Sequence, residues 1–301
     1  MNKRAVVTGG AGFIGSHLVN KLLDSGWFVT ILDDFSTGDI NNISSIINHS
    51  RFNVEVIDIT VDKLPDIKFD ALFHLASPIS VPESIEDPLK YFSGVYVVSR
   101  KVMEWAYKSG ATSMVATSTA AVYGDSIDVP LKEDTKLEPM SPYAMFKLEM
   151  EYLLRNYNKP EFKCNVLRLF NVFGEGQRST GGYKSAVPIF LDQYYSLNPI
   201  TVTGDGTQTR DWIYVGDVVD AIMKCYKASY KQTMDVYNVG SGIETQVIEV
   251  AEALNGEIIH VTKRDEPHRS CADINLITKN LDWKPETNLL SWIKQKTKIK
   301  L

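Results

Sequence analysis

The chain has 301 residues, 44% hydrophobic and 23% charged, with a formal net charge of −5; this is the profile of a soluble globular protein with room for one or two domains. An acidic balance argues against nucleic acid as a partner, since neutralising phosphates takes a basic face, and only the tail over 294–300 is basic, which reads as a solvated end. Three scattered cysteines, Cys164, Cys225 and Cys271, make neither a disulfide framework nor a metal site; no apolar run nears the about 20 residues that span a bilayer, and a strand begun by residue 5 leaves no room for a signal peptide, so a cytoplasmic protein without a membrane partner is expected.

The first predicted strand covers 4–8 and runs into a glycine-rich turn and a helix over 12–25. Gly10, Gly12 and Gly15 fit G-x-G-x-x-G, and Gly9, Gly12 and Gly15 fit the overlapping G-x-x-G-x-x-G. Between a strand and a helix, such a turn lets backbone approach a pyrophosphate while the helix N-terminus offers free N–H groups to it. The next strand, 28–33, ends in Asp33-Asp34, about 20 residues on, where a carboxylate accepts hydrogen bonds from ribose hydroxyls and repels a 2′-phosphate. That favours NAD over NADP. Asp33 carries the reading; Asp34 fits a solvated strand end equally well.

A helix over 39–48, strands over 53–57 and 70–75, a helix over 89–109, a strand over 113–117, a helix over 143–157 and a strand over 164–169 follow. Short apolar runs alternating with helices predict an α/β fold of Rossmann type, a doubly wound parallel sheet with helices on both faces and its ligand at the C-terminal strand ends. The 113–117 strand leads into Ser118-Thr119, and Tyr143 and Lys147 open the 143–157 helix. Four residues apart, they share a helical face. A tyrosine with a pKa near ~10 is a poor base at neutral pH, and a neighbouring ammonium favours its phenolate. Thr119 at a strand end can bond a substrate oxygen and pass its proton to Tyr143. By itself the Tyr–Lys spacing arises by chance on many helices.

After residue 172 the texture changes: 174–182 is loop-like, Gly204-Asp205-Gly206 is a tight turn, 217–230 is helical and 237–239 is a strand returning to the sheet. The expected division is a cofactor-binding domain over 1–172, rejoined by about 212–240, and a smaller substrate-binding lobe from 173–211 and 241–301.

Thr8-Gly9-Gly10-Ala11-Gly12-Phe13-Ile14-Gly15, Asp58-Ile59, His74-Leu75-Ala76, Thr119 with Tyr143 and Lys147, Arg168-Leu169-Phe170-Asn171-Val172-Phe173-Gly174, Arg210-Asp211-Trp212 and Tyr237-Asn238-Val239-Gly240 together give the chain its resemblance to the extended short-chain dehydrogenase/reductase family, in its nucleotide-sugar-modifying group. The resemblance runs nearly the whole length. It implies catalysis by Thr119, Tyr143 and Lys147. It implies cofactor contacts at Gly9, Gly12, Phe13, Ile14, Gly15, Asp33, Asp34, Phe35, Ser36, Thr37, Gly38, Asp58, Ile59, Leu75, Ala76, Ser77 and Thr117, besides Tyr143 and Lys147. It implies substrate contacts at Ser84, Thr119, Asn171, Ala186, Val187, Arg210, Arg264 and Ser270, with Arg269 an alternative to Arg264. A guanidinium suits bidentate phosphate contact; without the resemblance, an ion pair from Arg210 to Asp211 or Asp205 is the default. Val95 stands where the family usually has asparagine.

The reaction is read by omission. Related 4,6-dehydratases carry Asp-Glu after the catalytic hydroxyl, and related uronate decarboxylases keep the Glu; here the pair is Ala120-Ala121. Alanine exchanges no proton, so the expectation is NAD-dependent 4-epimerisation of a nucleotide sugar, with a UDP-sugar as partner by family habit. In the 4-epimerases the stretch resembling 269–273 borders the sugar 2-position, where a bulky aromatic excludes an N-acetyl group; Ser270 is small, which points to UDP-GlcNAc/UDP-GalNAc, with or without UDP-Glc/UDP-Gal. Rival readings are another nucleotide-sugar enzyme (uronate 4-epimerase, 4-keto reductase or dehydratase) and a non-catalytic NAD-binding regulator. The resemblance implies a homodimer through the 89–109 and 143–157 helices, whose apolar positions suit packing on the sheet equally well.

Overall fold

The protein is described from a computed structural model over residues 3–126, 128–179, 185–228, 236–263 and 267–298. The first apolar run forms strand β1 (Arg4–Thr8), and the glycine turn delivers the chain into helix α1 (Phe13–Asp24). Leu18, Val19, Leu22 and Leu23 recur at helical spacing and make its buried stripe. Strands β2 (Phe28–Asp33), β3 (Phe52–Val56) and β4 (Ala71–His74) follow. The helix expected over 39–48 is a tighter 3-10 helix over Ile40–Ile46, its N-terminus held by the Asp39 carboxylate accepting from the Asn41 N–H.

Helix α2 (Val81–Glu86) has no counterpart in the sequence reading. Six residues carry too little periodicity to announce it; Ser80 caps it by accepting from the Glu83 N–H. The single helix expected over 89–109 is α3 (Pro88–Tyr91), a π-helical turn over Phe92–Val97 and α4 (Val98–Lys108). β5 (Ser113–Thr119), α5 (Pro142–Tyr157), β6 (Lys163–Leu169) and the short β7 (Asn171–Phe173) come next. Then come α6 (Ala186–Tyr195), β8 (Ile200–Thr203), β9 (Thr209–Tyr214), α7 (Val215–Ala228), β10 (Val236–Val239), β11 (Glu244–Gln246), α8 (Val247–Glu252), β12 (Ile258–Val261), α9 (Asn275–Leu281) and α10 (Leu289–Lys298).

Seven strands form the central sheet in the order β10-β6-β5-β4-β1-β2-β3. β1 pairs in parallel with both β2 and β4, β2 with β3, and β4 with β5. Strand order reverses between β1 and β4, the switch point where a doubly wound sheet opens a crevice at its C-terminal edge. Thr8, His74 and Thr119 stand at those C-terminal ends.

The chain divides into two compact units, one of Met1–Val122, Pro139–Arg168 and Val219–Val236, the other of Tyr123–Glu138, Leu169–Val218 and Tyr237–Leu301. The core of the first collects Val6, Leu32, Leu72, Met114 and Val166 from strands with Val102, Met103 and Ala106 of α4 and Met150 and Leu154 of α5. The core of the second collects Phe173, Val187, Phe190, Ile200, Val202, Trp212, Val250 and Trp292.

Residues 123–138 belong to the second unit rather than to an uninterrupted 1–172 domain. The reason is polar. Asn238, fully buried, donates through Nδ2 to the Leu131 carbonyl at 2.8 Å, accepts from the Tyr123 hydroxyl at 2.7 Å, and offers its own N–H to Glu133 Oε1 at 2.8 Å. Among the described residues no helix is long and apolar enough to cross a membrane.

Candidate active site

In the first unit the glycine turn is shaped by close approach. Gly9 has φ +71°, and a Cβ there would meet the Ala76 nitrogen at 2.8 Å. A Cβ on Gly15 would overlap the Gly9 carbonyl oxygen. The first turn of α1 has neither a capping side chain at Gly12 nor an acidic residue. The N–H groups of Phe13, Ile14 and Gly15 therefore meet no capping or acidic side chain from their own turn, as binding a diphosphate there requires.

Asp33 is buried beside this turn. Its Oδ2 accepts from the Ala11 N–H and its Oδ1 from the Phe35 N–H, both at 2.9 Å, and Gly38 leaves no side chain in front of it. Burial pushes its carboxyl above the ordinary range, partly offset by those two N–H groups. Each oxygen keeps a lone pair for a hydroxyl donor. Asp34 is turned to its own loop: its Oδ1 accepts from the Ser36 N–H at 2.9 Å and the Ser36 hydroxyl at 2.7 Å. Thr37 is the exposed residue between Ser36 and Gly38. After β3, Asp58 Oδ1 accepts from the Thr60 N–H and hydroxyl, and Ile59 is buried in the core.

The β4 exit carries a hydrogen-bond chain that the sequence reading did not assign. Leu75 and Ala76 donate their N–H groups to Thr8 Oγ1 at 3.2 and 3.3 Å. Thr8 Oγ1 lies 2.7 Å from His74 Nδ1, and His74 Nε2 lies 2.9 Å from Ser99 Oγ, which donates to the Val95 carbonyl. The surrounding donors set the tautomer: Thr8 donates to Nδ1 and Nε2–H donates to Ser99. Burial, and next the Lys147 charge, hold His74 neutral, its pKa down to about 3. Ser77 turns its hydroxyl to the Pro78 carbonyl.

Tyr143 sits in the first turn of α5, which Ser141 caps by accepting from the Ala144 N–H at 3.2 Å. Its ring is nearly buried, packed with Tyr91 (T-shaped, 6.2 Å), Val95, Ala121 and Phe146. Val95, where a polar residue was expected, is thus part of an apolar wall, and its carbonyl accepts from the Ser99 hydroxyl. Lys147 is buried and donates to the Thr117 carbonyl at 2.9 Å. Burial brings its pKa down to about 8, and Glu151 opposes the fall. Thr119 ends β5 half-buried, its Oγ1 accepting from the Ala121 N–H at 3.2 Å. Ser84 is fully buried and donates its hydroxyl to the Val81 carbonyl at 2.7 Å, a bond internal to α2.

In the second unit Asn171 opens β7 opposite Trp212 of β9. Ala186 and Val187 open α6; the Val187 side chain lies in the core, so only backbone there is open to a ligand. The buried Asp211 carboxylate accepts from the Ser241 N–H and hydroxyl, the Gly242 N–H and the Ala272 N–H, and Asp205 is taken up by Thr207. Arg210 donates to the Thr209 carbonyl at 2.8 Å.

Arg269 forks onto Glu244 at 3.0 and 2.5 Å, an exposed pair. Ser270 is half-buried immediately before Cys271, whose carbonyl accepts from the Leu131 N–H at 2.8 Å. Arg264 lies outside the described residues.

Residues 5–240 match the model of the NAD dependent epimerase/dehydratase family. A UDP-glucose 4-epimerase of Mycolicibacterium smegmatis is 34% identical over 304 residues, 96% of each chain. A UDP-glucuronic acid decarboxylase 1 of Danio rerio is 32% identical, covering 94% of this chain and 69% of its own. Among solved structures, a UDP-N-acetylglucosamine 4-epimerase of Methanobrevibacter ruminantium in complex with UDP-N-acetylmuramic acid superposes with a TM-score of 0.91 at 29% identity, covering 99% of both chains.

Proposed function

Because the chain belongs to the NAD dependent epimerase/dehydratase family, we propose that it interconverts C4 epimers of a UDP-sugar, with UDP-GlcNAc and UDP-GalNAc as the leading pair and UDP-Glc/UDP-Gal alongside. The observation that carries this reading is the set Thr119, Tyr143 and Lys147, with Ala120-Ala121 directly after Thr119. A group that moves one proton at one carbon is present, and the carboxylates that dehydration or decarboxylation would need beside it are replaced by methyl groups. The 32% identity to a decarboxylase does not outweigh that, because identity spread over a shared fold says nothing of two side chains.

NAD fits the first unit: the Cβ-free turn at Gly9, Gly12 and Gly15 would take its diphosphate, and Asp33 its adenosine ribose. When bound it supplies a hydride acceptor and donor that ends each turnover unchanged. Tyr143 removes the proton of the sugar 4-hydroxyl and, once the 4-keto ring has turned about its pyrophosphate tether to offer the opposite face of C4 for reduction, returns it to the 4-keto oxygen. The Lys147 ammonium favours the phenolate form of Tyr143, and Thr119 bonds the reacting oxygen. Asn171, Arg210 and the N–H groups opening α6 would hold the UDP moiety, and Ser270 would leave room at the sugar 2-position.

Incubation with UDP-, dTDP- and GDP-sugars, read by NMR, tests the proposal. Epimeric product without net change in nicotinamide absorbance is expected; stoichiometric NADPH consumption would indicate a reductase instead. An enzyme that regenerates its cofactor has no need to release it, so NAD(H) should co-purify and Asp33→Ala should weaken its binding. Equal affinity for NADP and NAD would remove the role given to Asp33.

The functional form is a homodimer in the cytoplasm. Leu89, Phe92 and Val97, and Met145 and Tyr152 seven residues apart on α5, are large apolar side chains left at the surface of α3–α5, Leu89 being 75% exposed. A second copy of the same helices would cover them. Light scattering at micromolar concentration should give twice the chain mass, and Met145→Glu/Tyr152→Lys should give a monomer; a wild-type monomer defeats this part.

A further inference from the structure

The strongest polar cluster in the first unit lies behind the residues given the chemistry. Glu151 follows Lys147 by one helical turn and Tyr143 by two, so all three share a face of α5. Its carboxylate is buried with a side-chain exposure of 4%, equal to that of Arg168 on β6. Arg168 grips it with both ends of its fork, Nη2 to Oε2 at 2.8 Å and Nε to Oε1 and Oε2 at 3.1 and 3.2 Å. The Ser118 hydroxyl donates to Oε1 at 2.5 Å. Ser118 lies between Thr117, whose carbonyl receives the Lys147 ammonium, and Thr119. One carboxylate thus joins α5, β5 and β6 at the point where all three proposed catalytic residues are set.

We propose that Glu151 is a positioning residue of the reaction, which through Ser118 and Lys147 holds the end of β5 and the lysine ammonium in their working arrangement. The inference rests on the roles proposed above for Tyr143 and Lys147. A carboxylate that served only to neutralise Arg168 could come from any element within reach of its fork; this one stands on the lysine's own face of α5, one turn away. Burial penalises the Lys147 charge and Glu151 opposes that penalty, leaving a pKa of about 8.

The other groups around Lys147 do not replace Glu151. His74 on β4 is held neutral. Arg168 is spent on Glu151, and Thr117 and Ser118 contribute only dipoles. Tyr143 is the group to be tuned. The charged pairs on the helices packed against α5 lie at the surface: Arg100–Glu104 on α4, where Glu104 also accepts from the Tyr157 hydroxyl, and Lys90–Glu83 between α3 and α2, where Glu83 also accepts from the Tyr91 hydroxyl.

The sign follows. Lys147 works protonated, so the alkaline limb of the kcat/KM profile reports loss of its proton, while the acid limb reports Tyr143. Removing the negative charge lets that proton leave earlier. In the NAD-bound enzyme, Glu151→Gln keeps an acceptor for Ser118 but no charge, and should move the alkaline limb down by about one pH unit while the acid limb and sugar KM change little. That variant strands a buried guanidinium, which is destabilising. The second variant, Glu151→Gln/Arg168→Met, removes both charges and should recover the thermal midpoint while keeping most of the downward shift.

If the double variant recovers both midpoint and wild-type pH profile, Glu151 is only structural and the proposal is wrong. The same holds if both variants keep the wild-type alkaline limb, or if neither folds, since a tuning role costs pH range and not the fold. Lys147→Met is the separating control. If it remains active, the reading of the site fails; if it is inactive and the Glu151 variants show no shift, only this inference fails.

Discussion

Tyr143→Phe should lower turnover by ~10²–10⁴-fold, the usual worth of a positioned acid–base group, with the protein still folded and UDP-sugar still bound. The ring makes its contacts with Tyr91, Val95, Ala121 and Phe146 through carbon, so phenylalanine keeps the packing and loses only the hydroxyl. Lys147→Met should give a loss of similar size. Its stem is buried and methionine fills the same volume, while the bond to the Thr117 carbonyl and the charge disappear. Thr119→Ser should be mild and Thr119→Ala severe, because the hydroxyl is the working group. Steady-state rates with far-ultraviolet circular dichroism and sugar-binding titrations check all four variants. Near-full activity in Tyr143→Phe would end the proposed mechanism.

Ser270→Tyr should abolish turnover of UDP-GlcNAc, by roughly 100-fold or more, and spare UDP-Glc. The size of the effect comes from how little the neighbouring backbone can move. Directly after Ser270 the Cys271 carbonyl accepts from Leu131, the Ala272 N–H donates to Asp211 and the Asp273 N–H donates to the Leu131 carbonyl, the last two at 2.9 and 2.8 Å. Asp211 is itself locked by Ser241 and Gly242. A ring introduced at 270 cannot be relieved by sliding this segment, and a clash of about 3 kcal/mol already corresponds to the stated loss. Competition between the two sugars in one reaction, resolved by NMR, measures the ratio directly. A wild type that ignores UDP-GlcNAc, or a variant that still turns it over fully, would sink the specificity reading.

These two expectations had different origins. Tyr143, Lys147 and the Gly9–Gly12–Gly15 turn are local features: two positions four apart on one helix, three glycines between a strand and a helix. Local spacing is written in the chain order, and so the strands came out close to their true bounds. The run expected over 28–33 is β2, and 164–169 differs from β6 by one residue. Ala120-Ala121 is equally local, an absence visible without coordinates.

Short elements were the first loss. The six residues of α2 and the π-helical turn at Phe92–Val97 carry no period of their own, and a continuous apolar pattern over 89–109 conceals a change of winding. Arg269 is a second instance: its charge suggested a phosphate contact, and Glu244, 25 residues upstream, takes its fork instead.

By itself the sequence determined the alternating α/β order, the glycine turn between β1 and α1, the acidic end of β2 and the Tyr143–Lys147 spacing on one helix, because each depends on side chains within a few positions of one another. Only the tertiary structure decided which buried polar groups meet within each unit. Glu151 meets Ser118 across 33 positions, Thr8 meets His74 across 66, Tyr123 meets Asn238 across 115, and Asp211 receives Ala272 across 61. A carboxylate or amide removed from water must find all its partners, and the chain brings those partners from wherever the sheet and its crossovers happen to place them.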